Sequence, residues 1–300
     1  MTRAAGEAAA GGDAHRAWLL LIVLTLAWGI NWPAGKALLA YLPPIWLVAL
    51  RSALGMVALL AICLASGRFV IPRRGDIPVI LSVGTLHMTA FSVLVSIGLQ
   101  CVPVGRSVVL AYTTPLWVVP GARLLLGERL TVWRWIGIAM GVLGLLLIFN
   151  PLTFDWHDRR AVLGNGLVLL AALCWAVNIL YVRSHKWVTP PFELVFWQTL
   201  LATCLLVPLA LLLDGAPRAD WQPESIGLML YGGVFGIALG YWAMTTVNRH
   251  LPATTTSLGL LGVPVLGMAC SALALGEGIS LPLLGAMGLI LGGIGVGAIK

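Results

Sequence analysis

Four side chains able to grip a small solute fall in the middle of long uncharged stretches: His87, Tyr112, Trp175 and Tyr241. Trp28, Asn31, Phe91 and Asn178 accompany them at comparable depth. An indole or phenyl face stacks on a planar molecule, while a phenol, an amide or an imidazole fixes its orientation by hydrogen bonds. Polar groups deep in an apolar stretch are costly unless they meet a cavity or a partner, so these residues are candidates for binding a solute. His87 is the one histidine of five inside such a stretch, and helical spacing puts Gly84, Phe91 and Gly98 on its face. It is also the only mid-stretch group that titrates near neutral pH, with an unperturbed pKa of about 6.5. A core histidine bonded to a carbonyl and a core tyrosine with a satisfied hydroxyl are the competing readings of His87 and Tyr112. Trp28 with Asn31, and Trp175 with Asn178, can equally join helices.

The missing groups narrow the chemistry as much. All eleven acids lie in the N-terminal tail, in loops or near helix ends, so no embedded carboxylate can exchange a proton for a permanent organic cation. A proton-coupled multidrug or metabolite antiporter is therefore the alternative to a facilitator, with His87 or the helix-end acids Glu128 and Glu277 carrying the proton. No serine elbow, HExxH pair or embedded aspartate supports an intramembrane enzyme. No cofactor or metal is expected, since the five cysteines form no CxxC spacing. Gly29 to Lys36 only superficially resembles a phosphate loop: five residues separate its glycines where four are needed, and Ala37 replaces the Ser or Thr that would hold magnesium.

The elements that must position these groups are membrane helices. Hydrophobic residues make up 60% of the chain and charged ones 10%, against roughly 25% charged in a soluble domain. Apolar segments near 17–39, 45–66, 78–98, 104–126, 131–149, 163–184, 192–213, 224–247, 253–275 and 281–299 predict ten helices. The segments repeat. Trp28 and Asn31 return as Trp175 and Asn178, Pro43-Pro44 as Pro190-Pro191, and Arg51 as Gln198, at an offset of 147 (175 minus 28). Farther on, Pro103, Pro115 and Gly127-Glu128 return as Pro252, Pro264 and Gly276-Glu277 at 149 (252 minus 103). Five spans per half is odd, so the second half enters the membrane from the opposite side. The expected fold is all-α and integral to the membrane: ten transmembrane helices as two inverted five-helix repeats, 17–150 and 163–300, around a central cavity, after a disordered tail at 1–16 that is too balanced in charge to be a signal peptide. Channel and carrier both remain open for such an architecture, with alternating access favoured.

Basic residues set the expected orientation. With the N-terminus cytoplasmic, twelve Lys and Arg fall inside, including Arg129, Arg183, Arg249 and Lys300. Only Lys36, Arg106, Arg159, Arg160 and Arg218 fall outside. The net charge of +7 is thus a matter of topology, and no nucleic-acid partner is expected. Trp18, Trp46, Trp133, Trp135, Trp156, Trp187 and Trp221 read as interfacial anchors. Gly137, Gly141 and Gly144, with Gly285, Gly288 and Gly292, read as packing faces, and Gly233, Gly236 and Gly240 as packing or room for a solute. Arg51, two turns into helix 2, can snorkel, pair with a carbonyl or attract a solute carboxylate, and is read as structural. Pro115 and Pro264 are expected as hinges in helices 4 and 9.

Trp28-Gly29-Ile30-Asn31, Pro43-Pro44 with Arg51, and Pro115 followed by Leu126-Gly127-Glu128-Arg129-Leu130 and Trp135-Ile136-Gly137 resemble the EamA module of the drug/metabolite transporter superfamily. Trp175, Asn178, Pro264 and Gly276-Glu277-Gly278 carry the resemblance into the second half, with Gln198 and Gly278 departing from Arg51 and Arg129. The chain is most similar to bacterial amino-acid and metabolite exporters, aromatic amino-acid exporters included. That resemblance implies an exporter or facilitator in the bacterial inner membrane, a small metabolite as partner and both termini cytoplasmic; it leaves the oligomeric state open.

Overall fold

The structure is a computed structural model that describes residues 2–128, 130–150, 154–186, 188–217, 219–251, 256 and 259–298, with side chains from Arg16 onward other than Thr245, Asn248 and Arg249. Every regular element among these residues is helical. In chain order the helices are α1 (Thr2–Leu38), α2 (Pro44–Ala65), α3 (Arg74–Leu99), α4 (Val104–Leu126), α5 (Val132–Ile148), α6 (Arg159–Ser184), α7 (Pro191–Leu213), α8 (223–250), α9 (Gly262–Leu275) and α10 (Leu281–Gly297). Seven segments, in α1 to α4 and α6 to α8, are long and apolar enough to cross a membrane. The described parts of α5, α9 and α10 span 17, 14 and 17 residues, short of the roughly 20 needed for a full hydrocarbon core. Arg129, Pro252, Trp187, Arg218 and Lys300 lie outside the described residues.

Local sequence sets the ends. Pro occupies the first turn of α2, α7, α8 and α10, where its missing N–H costs nothing. Thr131, Asp158 and Ser280 cap α5, α6 and α10 through their side-chain oxygens. Gly127 (φ 68°) and Gly276 (φ 67°) end α4 and α9 in the left-handed conformation that favours glycine, at equivalent places in the two halves. α1 is helical from Thr2 on.

Two features depart from regular helix, and both occur twice. α3 and α8 widen into π-helix over Val83–Phe91 and Tyr231–Leu239, 148 positions apart (231 minus 83). α4 breaks between Val104–Ala111 and Thr114–Leu126, and Leu261 turns ahead of α9. At the break Pro115 has no N–H to offer the Ala111 carbonyl, and Thr113 and Thr114 turn their hydroxyls onto the carbonyls of Leu110 and Ala111, both at 2.7 Å. Pro115 starts the second piece of α4, and Pro264 lies in the first turn of the described part of α9, each just after a turn.

Packing follows one scheme in both halves. α1 lies on α9 and α8, and their equivalents α6, α4 and α3 make the corresponding contacts; α2 lies on α8 as α7 lies on α3. α2 and α7 pair with each other, as do α4 with α9 and α5 with α10. The α2–α7 pair runs antiparallel: Asp214 at the end of α7 accepts from the first amides of α2, Ile45 N (2.8 Å) and Trp46 N (3.2 Å). Trp46, predicted as an interfacial anchor, is buried and donates to Gly215 O at 2.9 Å. Trp18, Trp133, Trp135, Trp156 and Trp221 are exposed, as anchors need to be. α5 and α10 meet where Gly137 and Gly293 let the backbones touch; Gly288 faces open space and takes no part.

Candidate functional site

A cavity of about 230 Å³ lies between the two halves, bounded by residues of α1 to α4 on one side and α6 to α9 on the other. It is far larger than the ~10–15 Å³ that one water requires. The π segments of α3 and α8 and the break in α4 all border it, so the irregular backbone is gathered around this space. Irregular backbone at such depth is tolerated where it is enclosed by protein or lines a cavity.

Seven of the eight predicted solute-binding residues line it: His87, Tyr112, Trp175, Tyr241, Trp28, Asn31 and Phe91. Trp175 is the centre of an aromatic group. The His87 ring stacks on its indole (5.3 Å between centroids, 6° between planes), and Phe91 (5.3 Å) and Tyr112 (6.3 Å) meet it edge-on. Across the cavity Trp28 meets Tyr241 edge-on at 6.4 Å and donates to Gly236 O at 3.1 Å. Neither the His87 ring nor the hydroxyls of Tyr112 and Tyr241 bond to another described residue. Among the described residues neither the histidine nor the two tyrosine hydroxyls has the hydrogen-bond partner that a core role predicts, and all three side chains border the cavity.

Asn178 is the exception. It is buried off the cavity and accepts from Ser82 Oγ at 3.0 Å, joining α6 to α3. The face expected around His87 also divides. The π segment changes the angular step along α3, so Gly84 packs on Leu201 of α7 and Gly98 on Val168 of α6, leaving Phe91 beside the histidine.

Several lining residues were not assigned to the cavity from the sequence, Trp32 and Arg51 among them. Trp32 follows Trp28 at i+4, the helical spacing that would have found it. Arg51, read as structural, opens onto the cavity, and its Nη2 donates to Asn31 Oδ1 at 2.7 Å. Glycines make its place: a Cβ on Gly232 would fall 2.4 Å from Arg51 Nε, and one on Gly236 would fall 2.9 Å from Asn31 Oδ1. None of the lining residues is Asp or Glu.

The ends of the bundle hold the charged contacts. Glu277 accepts from Val104 N (3.0 Å) and Gly105 N (3.3 Å), capping α4 from the other half, while Lys36 donates to Leu99 O. At the opposite end Glu128 pairs with Arg183 (2.5 Å) and Arg134 (3.2 Å). Among the described residues no group of His, Cys, Asp and Glu is placed to hold a metal.

This architecture matches known proteins along its length. The transporter YoaV of Bacillus subtilis (strain 168), itself uncharacterized, is 25% identical over 261 residues, 87% of this chain and 89% of that protein. A "probable amino-acid metabolite efflux pump" of Escherichia coli (strain K12) is 27% identical over 288 residues, 91% of this chain and 92% of that one. A crystal structure at 21% identity superposes with a TM-score of 0.66 over 94% of this chain and 97% of its own, which shows the shared fold. The EamA-like transporter family matches twice, over residues 15–150 and 162–297, one match on each half of the repeat that builds the cavity, and the chain belongs to that family of membrane transporters.

Proposed function

We propose that the protein is a secondary transporter, and not an enzyme, which carries amino acids and related small metabolites across the bacterial inner membrane by alternating access. In this reading ten helices cross the bilayer as two inverted repeats, both termini are cytoplasmic, and the solute sits among His87, Tyr112, Trp175, Tyr241, Trp28, Asn31 and Phe91. The observation that carries it is the aromatic cavity between the halves, with hydroxyls and an imidazole unbonded to any described residue. The antiparallel α2–α7 pair and the contact scheme that survives exchange of the halves support inversion, the arrangement in which one half gates outward and its twin inward. The efflux-pump relatives support amino-acid-like solutes and export.

No acid lines the cavity, so the reading is of a facilitator that runs down the solute gradient. Uptake of labelled amino acids into proteoliposomes, with and without an imposed pH gradient, tests it. Solute should equilibrate without accumulating. Concentrative uptake driven by the pH gradient refutes facilitation in favour of proton-coupled antiport; if that uptake also survives His87→Gln, the coupling group is to be sought at Glu128 and Glu277.

A further inference from the structure

We propose that Arg51 anchors the carboxylate of the solute, and that among the amino-acid-like solutes that the cavity takes, small aromatic monocarboxylates of net charge −1 bind more tightly than the zwitterionic amino acids themselves. The inference rests on the cavity being the transport site and names the chemistry that it takes.

A guanidinium is charged at any working pH and carries five N–H donors. In this protein, among the described residues, it makes one protein hydrogen bond, from Nη2 to Asn31, and Nε is buried with no acceptor at all. The described residues hold two ion pairs, both at Glu128, so Arg51 has no counter-ion. A cation enclosed at mid-helix without a counter-ion is expensive, and it persists where it serves a ligand. Its surroundings are also built. Gly232 and Gly236 of α8 and Gly35 of α1 leave the room that the guanidinium fills, and Asn31 turns its oxygen to it. What the guanidinium lacks, a planar anion with two acceptor oxygens, is what a carboxylate supplies.

The opposite half of a zwitterion finds nothing comparable. No Asp or Glu lines the cavity. Carbonyls freed by irregular helix are the other means of holding an ammonium group, and here several already have donors. Gly84 O takes Thr89 Oγ1, Gly236 O takes Trp28 Nε1, and the carbonyls at the α4 break take Thr113 and Thr114. One buried positive charge with none of opposite sign is matched by a net monoanion. The aromatic group around Trp175 accepts its planar apolar end.

Calorimetric titration of the purified full chain with 3-phenylpropionate, phenylalanine and 3-phenylpropanamide tests this. The acid should bind about tenfold or more tightly than the amide, since an interaction with an ionised group is lost, and more tightly than phenylalanine. Arg51→Gln should bring acid and amide to within about threefold of each other, and Arg51→Lys, which keeps the charge and loses the planar fork, should fall between. Equal binding of acid and amide by the wild type overturns the anchor whether or not the variants fold, as does failure of the acid to bind. Tighter binding of phenylalanine than of 3-phenylpropionate overturns the selection of net charge. Flux in proteoliposomes separates the two levels. Transport without preference for the carboxylate sinks the Arg51 assignment alone, and carboxylate-selective binding without any flux sinks the transport reading alone.

Discussion

The imidazole of His87 lies parallel to the indole of Trp175, 5.3 Å away, and so presents one face of a residue from each half of the chain to the other. Phe91 and Tyr112 hold the indole from its edges. Trp175→Ala should therefore reduce solute binding by about 1 kcal/mol or more through the lost stacking surface. Transport rate and the yield of monodisperse protein, measured side by side, check this: rate should fall well below yield, and an equal fall in both would make Trp175 a core residue only. Tyr112→Ala should follow the same pattern.

Glycine positions give a contrast in stability. Gly232→Ala puts a Cβ where Arg51 Nε now lies, and overpacking of this kind costs about 1–3 kcal/mol. Gly166→Ala, in α6, meets no atom within 4 Å and should raise stability by about 0.5–1 kcal/mol, because alanine loses less conformational freedom in a helix. Thermal unfolding in detergent should move in opposite directions for the two variants.

Asp76 ties the halves together at one end of the bundle. Its fully buried carboxylate accepts from Arg73 N (2.9 Å), Thr189 N (3.1 Å) and Thr189 Oγ1 (2.7 Å). Asp76→Ala leaves these donors buried without an acceptor, at about 1–3 kcal/mol for each one that water cannot reach. Asp76→Asn, which keeps an acceptor oxygen, should lose less. A melting temperature unchanged in Asp76→Ala would show that water replaces the carboxylate freely.

Cytoplasmic termini and ten crossings require that a reporter fused after Lys300 be active only on the cytoplasmic side. Activity confined to the periplasm would undo the inverted arrangement. The basic residues make the expectation, and no contact inside the bundle depends on it.

Much of this was legible in the sequence. Apolar length placed the helices, and the recurrence of Trp28 at Trp175 and of Gly127 at Gly276 located equivalent pieces of the two halves. Seven cavity residues followed from depth and helical spacing. What escaped depends on contacts between distant segments. Asn178 lies off the cavity, where its amide oxygen accepts from Ser82, 96 positions away. Arg51 was read as structural, because the space that opens it to the cavity is made by Gly232 on another helix. The π segments shift the face of α3 after Gly84, and no local residue pattern announces a change from 3.6 residues per turn.

The central claim is that solute binds between the halves and is carried by their alternation. Counterflow tests it most directly: proteoliposomes preloaded with unlabelled solute are diluted into a trace of the same labelled compound. A carrier predicts transient accumulation of label above its external concentration, saturating with solute and lost in Trp175→Ala. Label that only equilibrates, at a rate linear in concentration and indifferent to preloading, would contradict the account and make the cavity part of a pore.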